Sequence, residues 1–121
     1  MPAHDSRTFA IEVARIVQDH KGNDVVALDL RGISQLTDFV VISTGTSARQ
    51  MAAIADQVTL YGRKVNEKPF GVHGYGTDTW VILDFVDVVL HLFTKKYREY
   101  YDIELLWGDA PRLEFSRSAT A

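Results

Sequence analysis

The chain has 121 residues, 46% of them hydrophobic, enough for one core and too few for two ordinary domains. Its formal net charge is −3 and it has no cysteine, which excludes disulfides and thiolate metal sites and gives no general field for phosphate backbones. No apolar run approaches the roughly 18 residues of a membrane span, and the first residues lack the basic and apolar regions of a signal peptide, so a cytoplasmic protein without membrane association is expected.

The first element reads as a helix: Asp5 or Ser6 can cap it, Phe9, Val13, Ile16 and Val17 recur at helical spacing, and Gly22 can end it. Asp24–Leu30 alternates as a strand. Arg31–Thr37 is a connection, and Phe39–Ser43 is a strand apolar enough to be buried on both faces, pairing antiparallel with the first. Ser47–Tyr61 turns helical, with Met51, Ile54, Ala55 and Val58 as its stripe and Gly62 expected just past its end. Lys64–His73 contains Pro69 and reads as a short or edge strand.

Two strands, Thr79–Phe85 and Val88–Phe93, follow around a turn near Val86 and Asp87. Side chains alternate along a strand, so Val81, Leu83 and Phe85 form an apolar buried face while Trp80, Ile82 and Asp84 share the other. A helix over Lys95–Leu106 closes the fold, in which Tyr97 and Tyr101 stack one turn apart. Residues 1–108 are thus expected as a single domain, with 109–121 as a flexible tail. The connection from the second strand to the third requires a crossover, which makes the sheet mixed. The expected architecture is an α/β (α+β) two-layer sandwich: a mixed sheet of about five strands, helices mainly on one face and the other face partly free.

Candidate chemistry is sparse. The segment Ser43–Arg49 joins a strand to a helix N-terminus and is similar to the Gly-Ser loop of nucleotidyltransferases, where backbone N–H groups favour anions. Such enzymes also need two carboxylates on one strand face to hold a metal, and the available pair, Asp84 and Asp87, is three residues apart across a turn. An N-cap role for Ser47 and a turn role for Asp87 are the simpler readings. The histidines form no H-x-H or H-E-x-x-H set, and His91 reads as a hydrogen-bonded sheet residue. Lys95, Lys96 and Arg98 are followed at once by Glu99, Asp102 and Glu104, a solvated face of mixed charge rather than a nucleic-acid patch. No catalytic, metal or cofactor site is assigned, and no sequence-specific nucleic-acid binding is expected.

Three segments together carry a resemblance: ALDLRGISQLTDFVVISTGTSARQ (Ala27–Gln50), GVHG with TWVILDFVDVVLHLF (Gly71–Phe93) and REYYDIELLW (Arg98–Trp107). In order and spacing they resemble the ribosomal silencing factor, or Iojap-like, family. The resemblance implies a nucleotidyltransferase-like topology without that activity, and a factor that binds the large ribosomal subunit on its inter-subunit face through ribosomal protein number fourteen. It further implies steric prevention of small-subunit joining, lower translation when nutrients are scarce and, for organellar relatives, a role in ribosome assembly. Carried onto this chain, the partner-binding positions are Trp80, Ile82, Asp84, Asp87 and His91. Val86 departs from the pattern, standing where many members have glycine. Two alternatives remain: a nucleotidyltransferase using Gly45, Ser47, Asp84 and Asp87, and a homodimeric module whose exposed sheet pairs with itself.

Overall fold

The computed structural model describes residues 5–117. Helix α1 (Ser6–Asp19) starts where the Asp5 carboxylate accepts from the Thr8 N–H at 2.7 Å. It leads into β1 (Asn23–Asp29), which pairs antiparallel with β2 (Phe39–Gly45), a strand buried throughout. Helix α2 (Ala48–Lys64) crosses the sheet to the short edge strand β3 (Gly71–His73), which pairs antiparallel with β4 (Trp80–Asp84). β4 hairpins into β5 (Val88–Thr94), and β5 lies parallel to β2 in the sheet centre. The sheet order β1-β2-β5-β4-β3 is therefore mixed, and the fold is α+β as expected.

Alternation divides the sheet into two faces. Ala27, Phe39, Val41, Val81, Leu83, Phe85, Val88, Leu90 and Leu92 point to the side carrying α1 and α2 and form the main core with Phe9, Val13, Met51 and Ile54. Val26, Leu28, Val40, Ile42 and Phe93 point the other way. There a smaller cluster is closed by helix α3 (Lys95–Tyr101) and a 3-10 turn over Ile103–Trp107. These short elements cover only part of that face.

Three expectations are corrected. The last helix does not run to Leu106: it stops at Tyr101 because Asp102 adopts a left-handed φ of 45°, a conformation that Asp tolerates better than most residues, and the chain re-enters as the 3-10 turn. Gly62 does not lie beyond α2 but inside its last turn, where the chain folds back so tightly that a Cβ there would run into the Glu67 carbonyl oxygen. The segment after Gly108, expected as a flexible tail, returns along β1. The Asp29 N–H donates to the Pro111 carbonyl at 2.8 Å and the Leu113 N–H to the Ala27 carbonyl at 2.8 Å, burying Leu113. Residues 118–121 of that expected tail lie outside the described residues.

Candidate functional site

On the partly covered face, β4 presents Trp80, Ile82 and Asp84 and β5 presents Val89 and His91. Where α3 and the 3-10 turn leave off, a groove of about 540 Å³ opens, lined by Val40, Val89, His91 and Trp107, with Asp84, Val86, Phe70 and Leu36 among its other walls. Phe70 is 81% exposed and Leu36 89%, so two large apolar side chains stand in solvent beside an apolar depression.

The β4–β5 turn forms one end of the groove. Val86 has a φ of +74°, and the Asp87 N–H donates to the Phe85 carbonyl at 3.0 Å, closing a three-residue turn around it. This is the γ-turn with a positive central φ, rare even for unbranched residues and strained for a β-branched one. The Asp84 carboxylate supports it, accepting from the Val86 N–H at 2.7 Å.

Trp80 is not a free-standing side chain. Its ring lies 4.9 Å from that of Phe93 and 4.8 Å from that of Tyr101, which in turn stacks on Tyr97 at 6.4 Å. Its indole N–H donates to His91 Nδ1 at 3.1 Å. Burial pushes the His91 imidazole down to about 4, well below its usual 6.5, the nearby Asp84 carboxylate opposing only weakly, so at neutral pH the ring is uncharged.

Of the five residues singled out from sequence, Asp84 and His91 line the groove, and Trp80 stands behind His91 as its hydrogen-bond donor. Ile82 lies directly across the strand pair from His91. Asp87 turns to the other side of the sheet, where its carboxylate accepts from the Ser6 hydroxyl at 3.4 Å beside Phe9 and Val88. Sequence reading missed Leu36, Phe70, Val89 and Trp107 as groove residues. The usable signal was a large apolar residue inside a turn-rich segment, as in SQLTD and KPFG.

The loop similar to a nucleotide-binding one is held for another purpose. The Ser47 hydroxyl caps α2 by accepting from the Gln50 N–H at 3.1 Å, and the Gln50 side chain returns to accept from the Thr46 N–H at 2.6 Å. Thr44 Oγ1 accepts from Arg98 at 2.9 Å. Gly45 pairs with Thr94 at the far end of β5, whereas Asp84 pairs with Val89 near its start, a separation of about 16 Å along the strand. The loop and the two aspartates therefore do not converge on one ligand. The mixed-charge helix face is exposed at Lys95, Lys96, Glu99 and Asp102 as expected, and Arg98 departs from it: its largely buried guanidinium is bound to Glu104 at 2.8 Å and to the Asp24 carbonyl at 2.8 Å. Among the described residues, no group of three or more His, Asp or Glu side chains could hold a metal, and no helix is long and apolar enough to cross a membrane.

Comparison with known proteins places this geometry in context. The family model described as ribosomal silencing factor during starvation matches residues 3–121. A ribosomal silencing factor of Halalkalibacterium halodurans is 42% identical over 98 residues, covering 81% of this chain and 84% of the relative. The chloroplastic Iojap protein of Arabidopsis thaliana is 34% identical over 113 residues, 91% of this chain and 46% of the longer plant protein. A crystal structure of a Chromobacterium violaceum protein superposes with a TM-score of 0.81 at 32% identity, covering 87% of this chain and 88% of that one.

Proposed function

The chain belongs to the ribosomal silencing factor family, and from that premise we propose that it binds the large ribosomal subunit through ribosomal protein number fourteen, blocks joining of the small subunit by occupancy, and so represses translation in the cytoplasm under nutrient limitation. The observation that carries the reading is the groove between β4, β5 and the 3-10 turn: apolar walls, a carboxylate at Asp84 and two exposed apolar side chains, Leu36 and Phe70, on the connections beside the sheet. Such a surface suits a protein partner with apolar and cationic side chains, because buried apolar area supplies affinity while a charge-assisted contact fixes orientation. No chemical step is assigned to it. The anion-favouring loop and the aspartates lie at opposite ends of β5, which supports a binding role over nucleotide transfer.

The test is sedimentation of the purified protein with separated subunits at fixed salt. Pelleting with large and not small subunits is the expected result. Equal pelleting with both, or with neither, contradicts the reading.

A further inference from the structure

The groove holds one polar group whose protonation the fold dictates. An indole N–H can only donate, so the 3.1 Å contact from Trp80 requires a lone pair on His91 Nδ1, and the proton of the neutral ring must sit on Nε2. Trp80 is wedged against Phe93 and Tyr101 and cannot swing away without breaking both ring contacts. The His91 ring faces that of Trp107 at 6.5 Å, with Val40 and Val89 also lining the groove. Among the described residues, no hydrogen-bond partner takes Nε2. The half-buried ring lines an open groove, so in the isolated protein Nε2–H can donate to water, and a ligand that expels this water must bring an acceptor in its place.

Resting on the docking reading above, we propose that His91 is a specificity-determining residue of that face: its Nε2–H donates to a carbonyl oxygen of an extended segment of a basic protein, whose apolar side chain enters the groove and whose neighbouring Lys or Arg meets Asp84. The charge arrangement selects this occupant. One Asp84 oxygen is engaged by the Val86 N–H, the carboxylate remains at the groove wall, and the chain as a whole is acidic. A second copy of the chain, docked about a two-fold axis through the groove, would bring carboxylate toward carboxylate. A segment that is apolar but lacks a correctly placed acceptor leaves Nε2–H unpaired, and this rejection is the source of specificity.

Two substitutions separate the donor from the packing. His91→Met fills a similar space and offers the indole a weak sulfur acceptor but carries no donor, whereas His91→Gln can accept from Trp80 and still donate into the groove. Large-subunit affinity is measured for both beside the parent, with denaturant melts as the folding control. His91→Met should bind about tenfold more weakly, as expected for one partner acceptor left unpaired, and His91→Gln should recover most of that loss. Should His91→Met fail to fold, His91→Phe takes its place, since it keeps a ring and removes both nitrogens. Folded donor-free variants that bind like the parent overturn the assignment of His91, as does a folded His91→Gln no better than they are. A parent that binds no large subunits overturns the docking reading itself. Tight self-association that is lost in His91→Met favours a second copy as occupant and overturns the basic partner.

Discussion

The two faces of the same sheet are built to different rules. Beneath α1 and α2 the sheet presents the main apolar core, with Ala27, Val41, Leu83 and Leu92 all buried and Ser43 the buried polar residue among them. On the opposite face the same strands carry Trp80, Asp84 and His91 among valines, and short elements close only part of it. One alternation thus produces a covered face and an open one, and if the open face docks a partner as proposed, a substitution should act on folding or on binding according to the parity of its position.

Truncation tests that division most strongly. Leu83→Ala, on the covered face and almost wholly buried, should lower unfolding free energy by about 3 kcal/mol through lost transfer energy and a cavity. Ile82→Ala, its neighbour on the open face and only half-buried, should lower it by roughly 1 kcal/mol. Denaturant melts compare the two, and equal losses would mean that the open face is core as well. Trp80 already blurs the boundary, since its ring contacts give it a packing role beside any part in docking, and Trp80→Ala is a poor test of recognition for that reason.

Acid sharpens the contrast by a similar amount. The His91 pKa is depressed to about 4 in the folded protein against 6.5 for the free side chain, so between those values the unfolded chain takes up a proton that the folded chain refuses. Stability conferred by keeping this ring neutral is complete above pH 6.5, falls as the pH drops and stops falling near 4. Across that window the loss is on the order of 3 kcal/mol. Melts of the parent and of His91→Gln from pH 7 to pH 4 should diverge, with the variant less sensitive; parallel curves would show that His91 is not held neutral by the fold.

The smallest effect is expected at the turn. Relief of a β-branched residue at positive φ is worth about 1–2 kcal/mol, and the added freedom of glycine in the unfolded chain takes back about 0.5–1 kcal/mol. Val86→Gly should therefore raise stability by about 0.5–1 kcal/mol, read as a small rise in melting midpoint. A fall would mean that the half-exposed valine side chain contributes more than its backbone strain removes.

What could be read from sequence follows the range of the interactions involved. The strands and the apolar parity of Val81, Leu83 and Phe85 were legible because alternation is local, and the Ser47 cap was legible because its partner is three residues away. The parallel pairing of β2 with β5 was not, since it depends on where the α2 crossover lands. The return of Leu113 to β1 joins residues more than eighty apart through backbone groups that no side-chain pattern announces. His91 could be read as a hydrogen-bonded sheet residue, but its partner could not: Trp80 pairs with Phe93 in the register, and only the diagonal reach of the indole across the hairpin connects it to His91.

The central claim is that this open face, and Asp84 in particular, blocks subunit joining by occupying the large subunit. Light scattering during reassociation of purified subunits measures that directly. Saturating parent protein should suppress the rise in scattering, and Asp84→Lys, which turns an attractive contact with a basic partner into a repulsive one, should restore most of it while melting near the parent. Reassociation that proceeds at the same rate with and without the parent protein, or a folded Asp84→Lys that inhibits as fully as the parent, would contradict the account.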